Sequence, residues 1–279
     1  MRPTKKINCL FLLLAFLPLH PIVSQKGETP RDILFDSGWK FNRGGAQGAE
    51  RPAFDDSDWR QIDLPHDWSL EDLPGTESPF DINAISQVNG GFTTGGTGWY
   101  RKEFEIPAKS RDKRFILMFD GIYMNCEIWL NGRSVGRHPY GYTSFWFDVT
   151  DRLMIDTVNL LAVKVRNEGE NSRWYSGSGI YRHVWLIVVP QVHVMPWGTF
   201  VTTPEISEKD AVVKIKTRVV NNDTCEKKVK LITRISDSNK SEIAKTESEE
   251  ILSEGSTAEF THEMRVANPR LWSVETPVL

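Results

Sequence analysis

The chain has 279 residues, 34 of them basic and 37 acidic, for a net charge of −3, and hydrophobic residues make up 39%. This balance offers no basic surface for nucleic acid or an anionic membrane, and the length suits two medium domains that each bury a core. Three cysteines and six histidines without Cys-x-x-Cys, His-x-His or His-Glu-x-x-His spacing give no disulfide or zinc signature, so neither a metal nor a cofactor is expected.

Residues 1–24 read as a secretory signal peptide: Arg2, Lys5 and Lys6 precede an apolar run from Ile7 to Leu19, and small Ser24 offers a cleavage point. The run is too short to span a bilayer, so an exported chain without a membrane span is expected. Setting the segment aside leaves 31 basic residues against 37 acidic ones, a net charge of about −6. Of the remaining cysteines, Cys126 and Cys225 fall in different predicted domains and are not expected to pair.

The segment "AFDDSDW" places Asp55, Asp56 and Asp58 in a turn and a short helix start, where Asp side chains cap free N–H groups. In "LPHDW", His66 next to Asp67 is a pair of a kind suited to acid/base work, but a loop anchored by hydrogen bonds beside Trp68 is the favoured reading. Turn signals follow at close spacing, from "NRGG" and "GGTG" to "NGR" and "NND". "KRFILMFDG" and "HVWLIVV" are near-continuous apolar runs, as expected for strands covered on both faces. Asn131-Gly132 is a strong hairpin signal with a purely structural reading.

In "HPYGYTSFWFDV", Tyr140, Tyr142, Phe145 and Trp146 either line a carbohydrate face or belong to the core. Glu168 and Glu170 flank Gly169 and are expected to be solvated. In "NSRWYSGSGIYRHVWL", Gly177 and Gly179 permit positive φ, so Asn171, Ser172, Arg173, Trp174 and Tyr175 stand on a loop at the mouth of a strand. Arg and Asn can hydrogen-bond sugar hydroxyls while an aromatic face stacks on the ring, so these five residues are the candidate carbohydrate-binding set. The alternative is a loop stapled to a neighbouring domain by ion pairing and packing.

Prolines in "VVPQVHVMPWG" mark a domain boundary near Pro190, giving domains at 25–190 and 191–279. Beyond it, Val213, Ile215, Thr217 and Val219 alternate with Lys214, Lys216 and Arg218, and Val229, Leu231, Thr233 and Ile235 repeat the pattern, each a half-buried strand. No long stretch has a 3.6-residue period, so the fold class is all-β, built from sandwiches. Asn222 and Asn239 begin glycosylation sequons, which matter only in a host that glycosylates.

"SRWYSGSGIYRHVWL", with "FDDSDWRQIDLPHDWSLE", "GGTGWYRKEFEIP", "FDGIYMNCEIWLNGRSVGRHPYGYTSFWFDVTDRL" and "NLLAVKVRNE" in the same order, resembles glycoside hydrolase family 2, the β-galactosidase, β-glucuronidase and β-mannosidase family. "PHDWS" and "GTGWYRK" are most similar to the β-galactosidase branch. The resemblance implies a jelly-roll (galactose-binding-like) sandwich followed by an immunoglobulin-like one, and an N-terminal part of a secreted retaining β-glycosidase. It implies a terminal carbohydrate as substrate, with β-glucuronidase or β-mannosidase as alternatives. In better-known β-galactosidases an asparagine and an aspartate of this part touch the sugar. The matching stretches here read Gly95-Gly96-Thr97-Gly98 and Ser172-Arg173-Trp174, which leaves galactose specificity and the associated sodium site unsupported.

Retaining hydrolysis needs two carboxyl groups about 5 Å apart, and the resemblance puts both on a C-terminal TIM barrel that would begin where this sequence stops. No catalytic residue is therefore expected here, the barrel is an expected partner, and a homo-oligomer is compatible with the family. A stand-alone carbohydrate-binding or scaffold protein, or a truncated gene product, is the rival reading.

Overall fold

The structure, a computed structural model, describes residues 32–170 and 173–277. The expected signal peptide, and Asn171 and Ser172 of the candidate loop, lie outside the described residues. Two β-sandwiches follow one another, a jelly-roll and then an immunoglobulin-like module, and among the described residues every regular element is a strand, apart from 3-10 turns of three residues.

The first sandwich faces a four-stranded sheet, in the order β1 (Asp32–Leu34), β10 (Val184–Val189), β5 (Arg114–Phe119) and β8 (Phe145–Asp148), with a six-stranded one. The latter runs β3 (Arg60–Ile62), β2 (Trp39–Arg43), β4 (Gly96–Glu105), β9 (Val158–Asn167), β6 (Cys126–Leu130) and β7 (Arg133–His138). All pairings are antiparallel. Alternation sends Phe115, Leu117 and Phe119 of β5 and Val184, Leu186 and Val188 of β10 into the core, against Phe41, Tyr100, Ile128 and Val163 of the facing sheet. The intervening Ile116, Ile187 and Val189 bury against Trp146, Trp185 and Met118 on the opposite face, which is why both strands read as continuous apolar runs.

Asn131-Gly132 joins β6 to β7 with φ of 54° and 76°, the positive pair that a tight hairpin turn requires. Asn131 does more than turn the chain: its side chain accepts from the Leu160 amide at 2.9 Å and donates to the Arg152 carbonyl and the Asn159 side chain, pinning the hairpin to the start of β9. Asp55 caps a turn, accepting from the Ser57 amide at 3.0 Å, and no helix follows it, because the next residues enter β3. Asp56 is claimed from inside. Arg101 of β4 is 2% exposed, donates to Asp56 at 2.6 Å and to the carbonyls of Ala49, Arg51 and Phe54, and lies over the rings of Phe54 and Trp59. One buried guanidinium thus satisfies a whole irregular loop.

The second sandwich packs β11 (Val192–Ile206), β12 (Asp210–Asn221) and β15 (Thr257–Ala267) against the pair β13 (Lys227–Ser236) and β14 (Glu242–Leu252). Val219, Leu252 and Phe260 form its core with Val192, Val229 and Leu231 around them. Pro190 and Gln191 connect β10 to β11, and the Gln191 side chain donates to the Asp112 carbonyl at 2.9 Å.

Replacing Arg101 by Met leaves the Asp56 carboxylate with Lys40 alone and three backbone carbonyls without their donor. It should cost about 3 kcal/mol in a urea titration, whereas Arg265→Met, which breaks the exposed pair with Asp210, should cost less than about 1 kcal/mol.

Candidate functional site

The site sits at the end of the six-stranded sheet where β4 begins and β9 ends, with Gly96 opposite Asn167. Three segments converge there: residues 63–71 before β4, residues 79–95, and the loop from Glu168 to Tyr181 that returns toward β10. Gly177 and Gly179 have φ of 62° and 124°. A Cβ on Gly177 would stand 2.6 Å from the Asp67 carboxylate, and one on Gly179 would stand 2.3 Å from the Tyr100 hydroxyl. Both conformation and space therefore demand glycine.

Asp67 fastens this loop. One carboxylate oxygen accepts from the Ser69 amide at 2.9 Å and the Ser178 amide at 2.7 Å, and the other accepts from the Tyr175 hydroxyl. Burial, then the neighbouring Asp67 carboxylate, pushes the Tyr175 phenol above its ordinary value, so it remains a donor. The His66 and Trp68 amides donate to the carbonyls of Ile180 and Ser178, Gly179 exchanges both backbone hydrogen bonds with Tyr123, and the Asn167 side chain donates to the Gly177 carbonyl and the Ser178 hydroxyl. The Ser69 and Ser178 hydroxyls lie 2.6 Å apart.

His66 and Asp67, adjacent in sequence, are not a working pair. The His66 ring turns to Tyr100, with Nδ1 at 2.7 Å from its hydroxyl, and to Glu71, with Nε2 at 2.8 Å. Burial pushes the imidazole below its ordinary value, and Glu71 only partly opposes this. The Glu71 carboxyl is held below its usual range against burial by hydrogen bonds from His66 and Arg60. A neutral His66 then donates through Nε2 to Glu71 and accepts the Tyr100 hydroxyl at Nδ1, an anchoring role.

Of the five candidate loop residues, Arg173 is exposed, Trp174 is 61% exposed with its indole N–H donating to the Tyr142 hydroxyl at 2.9 Å, and Tyr175 is 42% exposed and tied to Asp67. Beside them opens a cavity of about 260 Å³, whose polar lining includes Asn83, Ser86, Thr94, Asn167, Glu168 and Ser176 and whose apolar lining is Ala84 and Ile85 with intervening glycines. This is slightly below the ~300 Å³ at which small-ligand clefts begin. Its walls mix hydroxyls and amides with apolar surface, a match for a ring that carries both hydroxyls and C–H faces. Glu168 and Glu170 are exposed, as expected, and they also accept from the Thr97 hydroxyl and the Gln87 side chain, both at 2.9 Å, the latter joining the two loops around the cavity. Asn83, Ser86 and Thr94 carry no sequence signal beyond a turn-rich stretch, and folding alone brings them to Glu168. Phe145 is core, and Trp146 packs on the outer face of the four-stranded sheet, which leaves only Tyr140 and Tyr142 of that aromatic run near the site. Among the described residues no cluster of His, Cys, Asp or Glu is placed to hold a metal ion, and no helix is long and apolar enough to cross a membrane.

Residues 37–190 match the model of the glycosyl hydrolases family 2 sugar binding domain, and residues 192–279 match a second glycosyl hydrolases family 2 model. The Bacteroides ovatus protein named beta-galactosidase BoGH2A is 43% identical over 88% of this chain, a span that is 28% of that protein. A Formosa agariphila protein named putative beta-glucuronidase is 35% identical over 98% of this chain and 25% of its own length. A solved family 2 member from Bacteroides cellulosilyticus superposes with a TM-score of 0.85 at 48% identity, over 88% of this chain and 32% of that one. Bacteroides uniformis beta-glucuronidase 2 does so with a TM-score of 0.78 at 31% identity, over 88% and 29%.

Asp67→Ala should release the 175–178 segment, lowering stability by about 2 kcal/mol and speeding amide hydrogen exchange at Ser69 and Ser178, while Asp67→Asn, which keeps an acceptor for the two amides, should show a smaller effect. Because the folded-state value of His66 lies below the unfolded one, its contribution is fully present above about pH 6.5 and is lost as pH falls through the lowered folded value. Urea midpoints between pH 7.5 and 5 should therefore drop with acidification, and His66→Gln should flatten that slope.

Proposed function

Since the chain belongs to glycoside hydrolase family 2, we propose that it serves as the N-terminal, sugar-recognising part of an exported retaining β-glycosidase of β-galactosidase type. The observation that carries the reading is the Asp67-fastened loop, which sets exposed Trp174 and Tyr175 beside a small cavity whose walls mix hydroxyls and amides with apolar surface. Such a surface recognises a sugar by stacking and hydrogen bonding.

Retaining chemistry needs an acid/base and a nucleophile, two carboxyls about 5 Å apart. Of the cavity's described lining residues only Glu168 carries a carboxyl, and it is engaged by Thr97. The cavity is thus suited to holding a substrate, and the reacting pair is assigned to a catalytic barrel acting with this chain. The length of the relatives, of which this chain spans 28% and 25%, supports that division. The same reading divides the chain into a sugar-binding domain at 25–190 and an immunoglobulin-like domain at 191–279, and takes residues 1–24 as an export signal on the strength of their charge and apolar pattern. A glucuronide is the second substrate class, favoured by the 35% identity to a protein named putative beta-glucuronidase.

A chimera tests the role. With these residues replacing their counterpart in BoGH2A, nitrophenyl β-galactoside should still be hydrolysed, while the 279-residue chain alone should give no turnover of the β-galactoside or the β-glucuronide. A folded chimera inactive on both, or turnover by the chain alone, would overturn the reading.

A further inference from the structure

The tip between β7 and β8 lies flat on Tyr123: a Cβ on Gly141 would stand 2.1 Å from that ring, so only glycine lets the backbone approach. The Tyr181 hydroxyl donates to the Gly141 carbonyl at 2.9 Å, and the Asn125 amide donates to the Pro139 carbonyl. Tyr140 and Tyr142 flank this clamped glycine. Tyr142 meets Tyr123 edge to face at 5.2 Å and Tyr140 at 5.7 Å, and its hydroxyl accepts from the Trp174 indole 32 residues away. The three outer rings remain open to solvent, Tyr140 at 55%, Tyr142 at 38% and Trp174 at 61%.

Rings held in place by edge contacts and hydrogen bonds while their faces stay wet are costly, at roughly 25 cal/mol per Å² of apolar surface. Order without burial is what a stacking surface needs, since little side-chain freedom is then lost on binding. Hydroxyl and indole groups at the rims of these rings complement a pyranose, whose C–H faces are apolar and whose edge carries hydroxyls. Of the exposed aliphatic residues of the 79–95 segment, which lack such rims, Ile85 lines the cavity, while Ile82 and Val88 do not. The surface is continuous with the cavity: the 167–177 loop gives Asn167, Glu168 and Ser176 to the cavity and Trp174 to the aromatic group, and the Ser176 side chain hydrogen-bonds Tyr123 beneath Tyr142.

The geometry points to a second subsite, in which Tyr140, Tyr142 and Trp174 stack a further pyranose unit of an oligosaccharide whose neighbouring unit occupies the cavity. The inference rests on the reading that this end of the sandwich binds carbohydrate, and it extends the substrate class from a single terminal sugar to a chain of sugars.

Titration of the 279-residue chain tests it, following tryptophan emission and heat, with methyl β-D-galactoside and with four neutral β-1,4-linked tetraoses of galactose, glucose, xylose and mannose. At least one tetraose should bind about tenfold more tightly than the methyl glycoside. Tyr140→Ala should remove most of that gain and leave methyl glycoside binding unchanged, Trp174→Ala should remove most of the gain as well, and Trp174→Phe should retain part of it. Both positions are exposed, so unchanged urea midpoints should accompany these results. A tetraose that binds the Ala variants as it binds the parent overturns the stacking subsite while leaving the cavity intact. Binding by none of the tetraoses also overturns it, and the methyl glycoside then separately reports whether the cavity takes a sugar.

Discussion

The arrangement at the sheet end depends on one carboxylate. Asp67 gathers two backbone amides and a phenol from segments more than a hundred residues apart, and the strand-like contacts of Gly179 with Tyr123 and of Ser178 with Trp68 follow from where it holds the chain. An ionised acceptor suits this task, because hydrogen bonds to a charge are stronger than neutral ones and an unpaired amide in a half-buried loop would be costly. The two glycines are the steric counterpart: they make the room that the carboxylate and the Tyr100 hydroxyl occupy. The returning stretch from Tyr175 to Ile180 is therefore fastened through its backbone and one phenol, as loops that present side chains for recognition need to be.

The second sandwich reaches order by different means. Its apolar core is small, and β13 presents only half-buried residues to it. Two polar side chains bridge the gap. Asn221 is fully buried and donates to the carbonyls of Cys225, Leu252 and Ser253, and His262 spans the sheets between the hydroxyls of Thr233 and Ser248, each at 2.8 Å. On the outer face Lys228 and Lys230 pair with Glu249 and Glu247 across β13 and β14, contacts that set register more than they add stability.

Strands were the legible part of the sequence, because their period is local. The alternation along β13, the double-faced apolar runs of β5 and β10 and the Asn131-Gly132 turn each predicted what the backbone does. The jelly-roll class itself came from motif wording, since periodicity cannot order strands across a sheet. What stayed hidden was long-range. Nothing local to "WYRKEF" singles out Arg101, yet it is buried because a loop fifty residues earlier wraps it. His66 beside Asp67 suggested chemistry, but neighbours on an extended backbone point apart, and each found its partners elsewhere. Asn83 and Thr94 could not be tied to Glu168 because nothing in an irregular loop specifies what it will lie against.

Gly141 separates two duties that usually compete. Its contacts with Tyr123 and the Tyr181 hydroxyl hold the connection between β7 and β8, which crosses from one sheet to the other, through its backbone, so the exposed side chains on either side bear little on whether the fold survives. A lineage carrying this loop can exchange its outer rings, by single substitutions and without compensating changes in the core, while the sandwich beneath remains the same.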